Sequence, residues 1–183
     1  VTGVQTCALP ISQLPGVRPQ QLGGPGALTS IHIRGMRNQD TAVLVDGMRL
    51  RDASTIQSDA SGVIEDLMFT NASRVEVMNG PGSSLYGTNA IGGVVNILSD
   101  EGGGKTHGSV FAEGGSLGTA RSRATLAGGF AQDRILYSAG LAHVNVTSGV
   151  DGDDAYRDTS FQGSIAAHIA SSAILRARQI GRA

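Results

Sequence analysis

The groups best equipped for chemistry in this sequence are four histidines, a knot of aspartates and one glycine-rich loop. His32, His107, His143 and His168 are scattered, with none of the His-Glu-x-x-His spacing that sets two imidazoles on one helix face around zinc. The single cysteine, Cys7, offers neither a disulfide framework nor a thiolate metal cluster. A Ser/His/Asp set could be picked from any chain of this length, so its availability carries no information. Asp151, Asp153, Asp154 and Asp158 gather hard oxygen ligands in a polar stretch, 147–158, of the kind calcium takes in groups of six to eight. Their Asp-Gly-Asp-Asp string lacks the EF-hand pattern, so a calcium site and a solvated acidic loop both stay open. No metal or cofactor is expected.

The loop Gly80-Pro81-Gly82-Ser83-Ser84-Leu85-Tyr86-Gly87 could be taken for a phosphate cradle. A P-loop needs Lys then Ser or Thr after its last glycine, and here Gly87 is followed by Thr88-Asn89. The Gly-x-Ser-x-Gly spacing of a nucleophile elbow is also missing. A structural turn is the simpler reading, because glycines this dense suit positive φ or close backbone approach.

Strand patterns must position this loop. β-branched residues predict strands near 31–33, 42–45, 74–78 and 94–98, with Asp46-Gly47 as a hairpin turn after the second. Residues 62–68 suit a short helical turn, while Pro15, Gly16 and the 23–26 cluster mark a turn and a surface loop. Beyond the polar, Gly-rich break at 99–104, segments near 106–113, 121–130, 134–146 and 159–170 alternate in character. Ile135, Tyr137, Ala139 and Leu141 share one face; Phe161, Ile165, Ala167 and Ile169 share another, with Gln162, Ser164 and His168 opposite. Period 2 over about ten residues fits a transmembrane barrel strand, and a soluble sandwich strand as well. The tight connection 131–133 and the longer one at 147–158 suit a barrel with short inner turns and long outer loops.

Composition narrows the field. Basic and acidic residues nearly balance, 14 against 15, which gives no electrostatic case for nucleic acid. The chain has 27 glycines, four phenylalanines and no tryptophan, favouring short strands and turns over a large aromatic core. No apolar run approaches the ~20 residues of a membrane helix, so any membrane crossing would be made by strands.

Four motifs follow one another in a familiar order: Leu14-Pro15-Gly16-Val17, Ser30-Ile31-His32-Ile33-Arg34-Gly35, the stretch 41–52 containing Val-Leu-Val-Asp-Gly, and the stretch 74–97. Together they resemble the plug domain of TonB-dependent outer-membrane receptors, possibly of the vitamin B12 or siderophore type. The resemblance implies an α+β plug domain followed by antiparallel β-strands of an incomplete transmembrane β-barrel. It implies that Gly35, Asp46, Gly47, Glu76, Gly80, Pro81, Tyr86, Gly87, Gly92, Gly93 and Asn96 are plug motif residues. Arg34 would be one of two plug arginines that pair with barrel carboxylates and lock the plug. The second arginine's position is Asn79 here, which departs from the family pattern. The whole protein would be a 22-stranded, plugged barrel in the outer membrane of a Gram-negative bacterium. It would import a scarce small-molecule ligand (a siderophore–iron complex, cobalamin or a glycan) with energy from a TonB-type partner, and would catalyse no reaction. The partner's contact box is expected upstream of Leu14. Plug loops near 37–40 and 51–57 are the ligand-facing candidates by family position.

Residues 1–11 and 179–183 resemble translated sequencing adaptors and are set apart from fold reasoning. The expected organisation is then plug over 12–104 and about four barrel strands over 105–178. Such a piece, with open sheet edges, is not expected to transport alone. Two rivals remain: a soluble β-rich binding module, and a nucleotide-binding enzyme using the 80–87 loop.

Overall fold

The computed structural model describes residues 14–23, 28–52, 59, 60, 64, 70–148, 155–170 and 173–182. They fall into two compact units: those within Val1–Leu67 and Ala72–Ser99, and those within Met68–Asn71 and Asp100–Ala183.

In the first unit, β1 (Val17–Gln21) pairs antiparallel with β2 (Thr29–Ile33), from Val17 opposite Ile33 to Gln21 opposite Thr29. A four-stranded sheet follows from β3 (Thr41–Val45), β4 (Met48–Arg49), β5 (Ala72–Asn79) and β6 (Gly93–Ser99), in the order β4-β3-β6-β5. β3 and β6 run parallel, and β4 and β5 flank them antiparallel. The sequence explains the centre: β3 reads Thr-Ala-Val-Leu-Val and every residue is buried. A continuous aliphatic run is what a parallel strand covered on both faces requires. Ile33 and Val95 are fully enclosed, at 0% exposure. Each such side chain contributes about 1.5–3 kcal/mol relative to exposure. The four strands expected near 31–33, 42–45, 74–78 and 94–98 are all present. β1 was not expected, since Arg18, Pro19, Gln20 and Gln21 carry little strand preference; pairing with β2 supplies it.

The second unit is an antiparallel meander of five strands: β7 (His107–Gly115), β8 (Thr119–Phe130), β9 (Ile135–Val146), β10 (Tyr156–Ala170) and β11 (Ala173–Arg182). Its registers align Val110, Ala124, Leu141 and Phe161 in one cross-strand row, and Ser109, Thr125, Gly140 and Gln162 in the next, on the opposite face. The faces invert the usual rule. Leu126, Leu141, Phe161 and Ile165 are 49%, 50%, 43% and 52% exposed, whereas Ser138, Ser160 and Gln162 are 3%, 1% and 4% exposed. The expected sharing of faces on β9 and β10 holds, and Ile135, Leu141, Phe161, Ile165 and Ile169 on them are exposed.

Several boundaries differ from expectation. The units divide at Ser99/Asp100, not at 104/105, because Asp100 is tied into the second unit by its N–H bond to the Asn71 carbonyl, 2.8 Å. There are five wall strands rather than about four, and 179–182 continue β11 instead of standing apart from the fold. Asp158 lies inside β10, buried at 4%, rather than in the acidic loop. Asp151, Asp153, Asp154, the arm 1–11, and all of 62–68 except helical Ile64 lie outside the described residues.

Candidate functional site

The motifs of the first unit converge through backbone geometry. Asp46 and Gly47 take φ of 51° and 81°, the paired positive values that a two-residue hairpin between Val45 and Met48 demands. The Asp46 carboxylate then accepts the Ser99 N–H at 2.8 Å and the Ser99 hydroxyl at 2.7 Å. Asn96 completes the knot by accepting the Gly47 N–H through Oδ1 at 3.0 Å. Asp46, Gly47 and Asn96 therefore fasten the hairpin to the end of β6. Ser99, the partner that makes Asp46 indispensable, was not picked out from sequence. Glu76 does something simpler: it pairs with Arg74 at 2.8 Å on the exposed face of β5.

The glycine-rich loop is a self-contained turn around a single helical turn, α1 (Ser83–Tyr86). Gly80 N–H donates to Gly92 O at 3.2 Å and Gly82 N–H to Ala90 O at 2.7 Å. The Leu85 and Tyr86 amides donate to Gly82 O, and the Gly87 amide to Ser83 O. Those five amides are committed to carbonyls of the loop and of 90–92. Pro81 and Tyr86 stand exposed. A Cβ at Gly82 would lie 2.9 Å from Val94 Cγ2, and one at Gly93 would lie 2.5 Å from the Met78 carbonyl, so side chains are excluded at both. Gly92 donates to Asp40 O at 2.9 Å, joining the loop to the segment before β3.

Residues 37–40 and 83–91 both precede the N-terminal ends of the parallel strands, and they line one groove of about 660 Å³ with Arg37, Gln39, Asn89 and Ile91. Arg37 forks onto buried Asp40 (Nε to Oδ2 3.0 Å, Nη2 to Oδ1 3.3 Å), which raises the Arg37 pKa. Arg49 donates to the Tyr86 carbonyl at 2.7 Å; burial, then repulsion from Arg51, lowers its pKa.

Arg34 and Gly35 have φ of 53° and 72° and turn the chain off the end of β2, with the Arg34 N–H on Gly16 O at 2.6 Å. The Arg34 side chain is exposed at the rim of a second groove, with Arg18 and His32, and has no carboxylate partner among the described residues of its unit. Asn79 is likewise exposed at the end of β5.

Among the described residues, His32 is not part of a Ser–His–carboxylate relay. Ser30 Oγ lies 3.0 Å from His32 Nε2, but His32 Nδ1 faces the Met36 carbonyl, not a carboxylate, and Ser30 is buried. Among the described residues, no group of three His, Cys, Asp or Glu is placed to hold a metal.

A small α+β unit built on two glycine-locked motifs, preceding a sheet whose apolar face is outward, defines a plug joined to barrel-type wall strands. The family model for the TonB-dependent receptor plug domain matches residues 2–94, half of the 183-residue chain. The chain belongs to that family, and with it to the outer membrane of Gram-negative bacteria. Solved structures agree in fold. The siderophore receptor PirA from Acinetobacter baumannii aligns at 22% identity and TM-score 0.67, over 94% of this chain and 29% of its own. The alcaligin outer-membrane receptor FauA from Bordetella pertussis aligns at 18% and 0.71, over 94% and 28%. The pyoverdine receptor FpvA from Pseudomonas aeruginosa aligns at 17% and 0.69, over 90% and 23%. The chain thus spans less than a third of the receptors it matches.

Proposed function

We propose that this chain is the plug and first wall strands of a receptor that imports a ferric siderophore, drawing energy from a TonB-type partner in the inner membrane. The observation that carries the reading is the plug family match followed directly by a sheet with polar residues buried and apolar residues exposed. Solved structures that the fold resembles include siderophore receptors, which favours an iron chelate over cobalamin or a glycan. The groove between 37–40 and 83–91 is the cargo-facing surface in this reading. Arg34, exposed and without a carboxylate partner among the described residues of its unit, would supply one half of a plug lock in the whole receptor, while Asn79 leaves the second arginine position empty of charge. No covalent chemistry is needed.

The test is growth of an iron-restricted Gram-negative strain lacking its own siderophore receptors and carrying the full-length protein. Ferric catecholate, hydroxamate and phenolate chelates are supplied singly, with cobalamin dependence assayed in parallel. Rescue by one chelate class, lost on deleting the TonB-type partner, is expected. Rescue by none of them, or growth that ignores the partner, refutes the proposal. The soluble-module rival would require the large apolar side chains to meet inside a core, whereas Leu126, Leu141, Phe161 and Ile165 are exposed.

A further inference from the structure

Thr70 and Asn71 immediately precede β5 of the first unit, yet they pack with the second. Both are buried, at 2% and 5% exposure. They rest against Gly140 in the middle of β9, where an added Cβ would stand 2.9 Å from Thr70 Cβ and 3.2 Å from Asn71 Cβ. Only glycine leaves that notch open.

Asn71 engages the wall through three groups. Its Nδ2 donates to Ser138 Oγ at 2.9 Å, its N–H to Gln162 Oε1 at 3.4 Å, and its carbonyl accepts the Asp100 N–H at 2.8 Å. Ser138 and Gln162 are themselves buried on the polar face, and Ser138 also contacts Ser164 Oγ at 2.9 Å. Asp100 is where the chain next enters the second unit. The two described passages between units, 71–72 and 99–100, are therefore bonded to each other inside the second unit. Just beyond, β5 slips register between Ala72 and Arg74, the local irregularity at which a strand changes direction.

We infer that Thr70–Asn71 is a fixed seat: it stays bonded in the Gly140 notch while the receptor works, and the plug rearranges on either side of it. The inference rests on the transport reading. Asn71 and Gly140 are positioning residues that touch no cargo. Lifting the seat would take the buried Asn71 side-chain amide from the Ser138 hydroxyl.

The experiment uses the full-length receptor, with any native cysteine replaced by serine, in cells. Asn71→Cys with Gly140→Cys puts two Cβ atoms slightly closer than the ~3.8 Å usual for a disulfide. Mild oxidation is expected to give about tenfold more cross-link than Asn71→Cys with Leu141→Cys, whose side chain projects from the opposite face. Equal yields, or none, overturn the seat. If Gly140→Cys fails to assemble, Ser138→Cys replaces it in the same comparison. The single Asn71→Cys variant is then labelled with a membrane-impermeant maleimide, with the inner membrane energised and after a protonophore. Rates within about twofold of each other are expected for a group protected in both states. Labelling about tenfold faster in energised cells would show the seat opening and overturn its fixity. Neither readout needs a cargo, so failure of the siderophore reading would appear in the growth test while the cross-link stood.

Discussion

The two sheets of this molecule obey the same alternation and bury opposite halves of it. In the first unit, β3 and β6 carry Val43, Leu44, Val45, Val94, Val95 and Ile97 at 3% exposure or less, and aliphatic residues are enclosed on both faces. In the second, Gly140, Ala142 and Gln162 turn to the enclosed side while Leu141, Phe161 and Ile165 face out. Backbone geometry is alike in both, since side chains alternate with period 2 along any strand. The solvent on the far side differs. A sheet whose outer medium is protein hides its hydrocarbon; a sheet whose outer medium is lipid presents it and hides its hydroxyls, amides and glycines. The same sequence pattern thus has two meanings, and burial decides between them.

That contrast can be broken at graded cost. Ile33→Ala removes a fully enclosed side chain of the first unit and is expected to cost about 2–5 kcal/mol, read as loss of protease resistance of the plug in the full-length receptor. Leu141→Arg places a charge on the outward face and is expected to cost about 2–4 kcal/mol near the membrane midplane, read as loss of the heat-modifiable assembled form on gels. Thr125→Arg, one row away on the opposite face, is expected to assemble normally; equal damage from both would erase the distinction between faces. Asp46→Ala leaves the Ser99 N–H and hydroxyl without their acceptor and is expected to cost about 1–3 kcal/mol, measurable as a lower melting temperature of the plug. Arg74→Ala removes only an exposed pair with Glu76 and is expected to change stability by about 1 kcal/mol or less.

Legibility followed the range of the interactions. The hairpin at Asp46-Gly47 could be read because its φ requirement is local, and β3 because Thr-Ala-Val-Leu-Val is a continuous buried run. β9 and β10 showed their period, yet nothing in that period said which face meets lipid; neighbouring motifs supplied the expectation. β1 stayed hidden because Arg18, Pro19 and Gln20 become a strand only against Ile31 to Ser30 and His32 of β2. Among motif residues, Gly82 and Gly93 are explained by atoms from elsewhere in the chain: Met78, Val94 and Ile33. The seat at Thr70–Asn71 joins residues as far apart as Asn71 and Gln162, and no spacing announces such a meeting.

The most direct test of the whole account is a nitroxide scan of residues 135–146 in the full-length receptor reconstituted in a lipid bilayer. Oxygen, which concentrates in lipid, should relax the labels at 135, 137, 139 and 141 strongly and those at 136, 138, 140 and 142 weakly, with a period of 2. A flat profile, or maxima on the even positions, would contradict a wall that turns its apolar side chains to the membrane.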